Sequence, residues 1–438
     1  VKRWPDPRVP LWNVVERHFD EADFLAEHWR RAADEPDWTL TELAVDLAAR
    51  LSLHLEGLAV AGPAALREIA WPNLEAAAFV STSLTASLAI LEQGDLDDLE
   101  RLLAQLDQHP PEHERWRGIT AALGLSTRAG LTQWLIARLE QAEGRRLAGI
   151  AEALAHRRVE LGPLLTRLLC HDEPAVLRAA AALAVSGDAA QLGLLAGSSA
   201  HADPGVVAAV MQTCLLREVS GALEVARAWA FDAAVCEFRR EAMVWMSVFG
   251  SAADQRRVIE LVAEPSSRRA ALWAAGFAGR VEAVEAAIAW LEDEEVGPLA
   301  AEVVSAIAGL PRADETLWID QPREDDERSG LPALEHDDLD AELAPDAEAT
   351  LPTPHAERVR AWWHARRDAF DRGRSWLAGR ELDDAGLLHA LVHEPLRRRH
   401  VLALVLHHRS RHRPAGPLRL ATRDWACSQL RQLEAWRA

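Results

Sequence analysis

Two stretches set thirty positions apart carry the same punctuation: "HDEPAVLRAAAALAVSGDAA" from His171 and "HADPGVVAAVMQTCLLREVS" from His201. Each places a histidine near an acid, puts proline fourth, and then runs apolar for about three helical turns. Pro174 and Pro204 suit a first helical turn, where the missing N–H would have no partner. Val176, Ala180, Leu183 and Ala184 then share one helical face, and Gly187 marks the exit. A chain that repeats this start at a fixed interval is writing helix pairs.

The same grammar recurs in "SSRRAALWAAGFAGRVEAVEAAIAWLED" from Ser266 and "EEVGPLAAEVVSAIAGL" from Glu294. It also appears upstream in "RRLAGIAEALAHRRVELGPLLTRLLC" from Arg145. Short helix pairs at about thirty-residue spacing bury their apolar faces against one another, so the expected fold is all-α, an α-solenoid of HEAT-like pairs. Composition agrees, because alanine and leucine dominate the apolar half of the chain and lose little freedom in a helix.

The N-terminal region reads as longer helices. "LWNVVERHFDEADFLAEHWRRAADEP" is one, and a second opens at a capping box, Thr39 followed by Glu42, and leaves at Gly57 or Gly62. Residues 1–92 are therefore expected to cap a solenoid spanning 93–310. Residues 311–354 are acidic, rich in proline and poor in apolar side chains, which predicts a linker, pinned at Leu317, Trp318 and Ile319. Residues 355–438 read as a basic helical module and C-terminal cap, since "HEPLRRRHVLALVLHHRS" echoes the opening repeat with Arg399 in the place of Arg178.

Three pieces carry a resemblance: "RHFDEADFL…TLTELAVDLAARLSLHLEGLAVAG", "AAEVVSAIAGL", and "RVRAWWHARRDAFDRGRSWLAGRELDDAGLLHAL…RRRHVLALVL". Together they resemble an uncharacterised family of bacterial HEAT-repeat proteins often encoded near type VI secretion components. The resemblance implies the fold and a secretion-related setting, and it implies no catalytic residue. The chain departs from that family's pattern before Trp362, where it reads "TLPTPHAERVRAWW".

Charge narrows the partners. Residues 1–310 carry −17, 311–354 carry −11 and 355–438 carry +8, which together make the net −20. An acidic body repels nucleic acid and anionic membranes and suits a basic protein partner. Arg397, Arg398, Arg399, His400, His407, His408, Arg409, Arg411, His412 and Arg413 form the one basic cluster. It is a candidate partner surface, for which the acidic linker is the nearest counter-charge. It also keeps a nucleic-acid-binding alternative open. Trp362 and Trp363 are a candidate aromatic anchor, with at least one expected to pack inward because helical neighbours point about 100° apart.

The N-terminal helices hold one polar constellation. His18 and Glu21 stand three apart, and Asp46, Arg50 and His54 follow at steps of four. Such groups can hold a metal or relay a proton, but an arginine among them favours a structural network. His113-Glu114 and His393-Glu394 sit at unrelated points of the repeat, unlike a ligand set. No GxSxG, Walker loop, HExxH or GxGxxG occurs. The four cysteines form no CxxC pair, and no run approaches the ~18–20 apolar residues of a membrane span. The expectation is a cytoplasmic, non-enzymatic binding scaffold without cofactor or metal, its oligomeric state open.

Overall fold

The computed structural model of the protein describes residues 10–33, 35–232, 237–319, 348–410 and 426–437. The described chain is all-α, with one short hairpin among the described residues, Trp376–Leu377 against Arg380–Glu381. Its contacts divide it into two compact units: residues 1–33, 38–222 and 407–438, and residues 34–37 with 223–406.

In the first unit, α1 (Trp12–Ala32) buries Val15, Phe19, Ala22, Leu25, Ala26 and Trp29 along one stripe. The capping box forms as the sequence predicts. The Glu42 carboxylate accepts from the Thr39 amide at 2.9 Å, and the Thr39 hydroxyl accepts from the Glu42 amide at 3.3 Å. The chain then passes through a π-helical stretch, Leu43–Ala48, into α2 (Ala49–Val60). Gly62, at φ 65°, takes the left-handed exit that other residues resist. After short helical pieces at Pro63–Ala65, Leu66–Ala70 and Trp71–Ala76 comes α3 (Val80–Gln93), buried almost all round and packed on α1 and α2.

Eight helices follow: α4 (Leu96–Gln108), α5 (Glu114–Leu125), α6 (Leu131–Leu139), α7 (Gly144–His156), α8 (Pro163–Leu169), α9 (Pro174–Leu183), α10 (Ala189–Gly197) and α11 (Pro204–Leu216). α3, α5, α7, α9 and α11 pack one on the next in chain order. The intervening helices flank them, as α4 and α6 flank α7 and α8 flanks α9.

A recurrent tie joins successive members of this inner series. A helix ends with carbonyls that lack helical partners and carry partial negative charge. Arg128 reaches back to the end of α3, donating to Leu91 O and Gly94 O, both at 2.7 Å. Arg157 serves the end of α5, donating to Leu123 O at 3.0 Å and Ser126 O at 2.7 Å. Arg217 serves the turn after α9, donating to Val185 O at 2.7 Å and Gly187 O at 2.9 Å.

The repeated histidines have a matching job at the helix starts. Nδ1 of His171 accepts from the Glu173 amide at 3.0 Å, and Nδ1 of His201 accepts from the Asp203 amide at 2.9 Å. His113 does the same for Arg115 at 3.1 Å, before α5. They shape the turn into the helix.

The second unit holds α12 (Ala222–Phe231), α13 (Arg239–Phe249), α14 (Ala252–Glu260), α15 (Arg268–Ala275), α16 (Val281–Ile288) and α17 (Gly297–Ala308). α13, α15 and α17 pack in chain order. After the linker come α18 (Ala356–His364), the hairpin strands β1 (Trp376–Leu377) and β2 (Arg380–Glu381), α19 (Asp384–His393) and α20 (Leu396–Ser410). The hairpin is bonded to the ends of the preceding helices. Trp376 N donates to Gly279 O at 2.8 Å, Ala378 N to Ala306 O at 2.7 Å and Gly379 N to Ile307 O at 2.9 Å.

The two described ends of the segment read as a linker are bonded to each other around Leu317 and Ile319. Ile319 N donates to Thr353 O at 2.9 Å and His355 N to Leu317 O at 2.8 Å, with Leu317 buried. Its stretch 320–347 lies outside the described residues, as do Cys236, Arg411, His412 and Arg413. Residues 223–310 and 355–406 thus belong to one compact unit, where the sequence placed a boundary between them. The last described helix, α21 (Ala426–Arg437), packs in the first unit on the π-helical stretch.

Candidate functional site

The second unit contains an open pocket of about 650 Å³. Leu291, Pro298, Leu351 and Pro354 supply apolar lining, and Glu292, Glu294, Glu295, Glu348 and Glu357 supply carboxylates. Two of these acids are already engaged. Glu292 pairs with Arg360, whose guanidinium holds the carboxyl below its ordinary range. Glu348 is gripped by Arg240 at 2.6 Å and by Arg269, with Arg397 at 3.8 Å. Glu294, Glu295 and Glu357 are exposed and form no side-chain ion pair among the described residues. The pocket therefore presents net negative charge over an apolar floor, a setting for a cationic side chain with an aliphatic stem.

The basic cluster is placed otherwise than expected. Arg397, Arg398 and Arg399 are 6 %, 3 % and 2 % exposed, so they offer no surface to a partner. The reason is that α20 is enclosed on most sides: Leu396, Val401 and Leu402 are buried as well. Arg397 forms an ion pair with buried Glu302 at 2.9 Å. Its guanidinium carbon lies 4.6 Å from the Trp273 ring centre, and that of Arg398 lies 4.1 Å from the Phe277 ring. Flat guanidinium groups fit against aromatic faces, which makes an arginine-rich interior tolerable. Burial pulls Arg398 and Arg399 down to about 10. Among the described residues of the cluster, His400 and Arg409 are exposed.

Trp363 is buried at 2 % exposure, while Trp362 is half-buried with Arg366 over its ring at 4.7 Å. The pair is thus mostly a packing element, with one inward ring as its helical spacing predicts.

Part of the N-terminal constellation converges. His18 and His54 approach Nδ1 to Nδ1 at 3.1 Å. Desolvation holds His54 below its ordinary value; the His18 ring and Arg50 act in the same direction, and Glu21 opposes them. Asp46 is exposed and lies in the π-helical Leu43–Ala48, where an i→i+5 turn advances less per residue than a count in steps of four assumes. Among the described residues no three His, Cys, Asp or Glu side chains form a group able to hold a metal ion.

Sequence reasoning missed the acidic pocket, whose carboxylates come from both sides of the linker. A signal existed in "LEDEEVGP", a dense acidic run that spacing rules read as a loop between helices.

No family model matches the chain, and no curated protein matches it. Among solved structures, the chain is similar to a crystal structure of an engineered protein at 17 % identity and a TM-score of 0.30. That similarity covers 67 % of this chain and 89 % of the other, and is too loose to carry an argument. No helix among the described residues is long and apolar enough to cross a membrane.

Proposed function

We propose that the chain is a non-enzymatic binding scaffold: a HEAT-like α-solenoid that holds a protein partner through a basic segment, in the setting of type VI secretion. The observation that carries the reading is the chain-order packing of α3, α5, α7, α9 and α11, tied by Arg128, Arg157 and Arg217. Repeats that bury themselves only against neighbours leave extended surfaces for recognition. In this reading residues 1–92 cap the first repeats and residues 355–406 cap the last. The pocket bounded by Glu294, Glu295 and Glu357 is the place for the partner's cationic residues. The secretion setting rests on the sequence resemblance.

The nucleic-acid alternative drew on an exposed arginine cluster. Arg397, Arg398 and Arg399 lie inside the fold and lend it no surface, which leaves it His400 and Arg409 among the described residues.

Photo-cross-linking in the native host tests the proposal. A cross-linker placed at Glu294 or Glu357 should capture one defined protein with a basic surface, while one at exposed Arg31 should not. The same background from all three positions would overturn the scaffold reading. Deleting the gene and finding unchanged export of type VI effectors would remove the secretion setting.

A further inference from the structure

The His18–His54 pair has a geometry that neither packing nor the scaffold reading requires. The ring centres are 5.2 Å apart at 58°, with the two Nδ1 atoms facing at 3.1 Å. Gly57, one turn beyond His54 on α2, makes this approach possible, since a Cβ there would stand 2.7 Å from the His18 ring. Both imidazoles are half-buried, open enough to exchange protons with solvent.

One hydrogen bond between two Nδ1 atoms needs one proton. A neutral pair has it when one imidazole is the Nδ1–H tautomer and the other accepts. A singly protonated pair keeps the same bond, now charge-assisted. A doubly protonated pair has an N–H on both facing atoms and no acceptor. The arrangement therefore tolerates one added proton and rejects the second.

We propose that His18 and His54 form an acid-sensitive catch on the α1–α2 hairpin, closed with one or no added proton and released when both rings are charged. The charged neighbours set its threshold. On α1, Glu21 favours the charged form; on α2, Arg50 opposes it. α3, packed on both helices, carries no charged side chain from Val80 to Leu91. Asp46, on the π-helical stretch, is exposed and is not among the charges that act on His54.

The sign follows from His54, held below its ordinary 6.5 by burial and the partner ring. An opened hairpin binds the second proton more readily than the closed one. Closure is therefore fully favoured above 6.5 and is lost as the pH falls from there towards the closed-state value.

Two measurements on the full chain test this. In histidine-labelled protein, NMR should show His54 titrating below its ordinary value, on a curve that His18→Gln moves upward. A His54 curve that His18→Gln leaves in place would overturn the catch. Amide exchange, corrected for its intrinsic pH dependence, should accelerate in α1 and α2 below pH 6.5 more than in α7 and α9. The excess should be about tenfold for each pKa unit separating closed and open forms. His54→Gln, which keeps a donor and an acceptor but cannot titrate, should flatten that excess. Equal acceleration in all four helices, or an unchanged excess in the variant, would overturn the proposal. Stoichiometric zinc uptake that His54→Gln abolishes would also overturn it, replacing the proton with a metal.

Discussion

Gly118 on α5 meets Ser83 on α3 so closely that a Cβ at Gly118 would stand 2.5 Å from the serine Cβ and 2.8 Å from the Leu84 amide nitrogen. The serine hydroxyl is satisfied by donating to Arg115 O at 2.9 Å, so a polar atom is tolerated in this tight crossing. Gly118→Ala must push backbone against backbone. It should destabilise by about 1–3 kcal/mol, as overpacking does. Gly193, in the middle of α10 with open space around it, is the control. Gly193→Ala should stabilise by roughly 0.5–1 kcal/mol. Urea titrations of both variants check the opposite signs.

Arg157 donates to Leu123 O, Gly124 O and Ser126 O, and through Nε to the Thr132 hydroxyl at 2.9 Å. Arg157→Ala should cost about 1.5–3 kcal/mol, the range for hydrogen bonds to a charged group. Arg157→Lys should recover only part of it, because an ammonium cannot span the same fork of acceptors. Differential scanning calorimetry of the two variants should give that order, alanine below lysine below wild type.

Asp254 is clasped by Arg227 at 2.8 Å and 3.1 Å and by the Ser251 hydroxyl at 2.7 Å. The Arg227 bond and then Ser251, against an opposing desolvation, lower its carboxyl to about 2. The native state therefore binds fewer protons than the unfolded state between the ordinary 3.8 and about 2. This contribution is full above 3.8 and disappears as the pH falls through that window. Asp254→Asn should flatten the acid limb of a stability–pH curve there and lower stability at neutral pH. An unchanged slope would show that the clasp does not couple to folding.

Glu302 and Arg397 are both buried, so each depends on the other. Removing one partner should cost about 3–5 kcal/mol, and replacing both with apolar groups should cost far less. A double-mutant cycle with Glu302→Leu and Arg397→Met should therefore show strong non-additivity. Among the described residues Nε, Nη1 and Nη2 of Arg399 find no hydrogen-bond partner, which makes it the contrasting case. Arg399→Met should leave the melting temperature unchanged or raise it, since no bond is lost and a desolvated charge is removed.

What the sequence could reveal divides along the range of the interactions. The Thr39–Glu42 box, the proline starts at Pro174 and Pro204, and the exit at Gly62 depend on neighbours a few positions away. They are legible for that reason. The His18–His54 meeting was also visible, because one hairpin brings two helical faces together. Arg399 shows the limit. It matches Arg178 in the repeat, yet Arg178 pairs with Asp203 at 3.2 Å while Arg399 lies in an enclosed helix. A repeat pattern transfers residue type, whereas burial depends on what the rest of the chain places around it. Nothing in "LAVDLA" announces the π-helical turn that carries Asp46.

The backward reach of Arg128, Arg157 and Arg217 has a mechanical corollary. Each guanidinium belongs to one segment and its acceptors to the segment before, so neither end of the tie persists when either segment melts. Neighbouring segments therefore share free energy at their boundary, and the series behaves as a one-dimensional lattice with nearest-neighbour coupling. Fraying from the α3 end must break a tie at each of its first two steps, and fraying from the α11 end must break one at its first, which favours loss of order in blocks of helices over the peeling of single ones. A local load, such as a tug on a bound partner, would be distributed along the series through the same arginines.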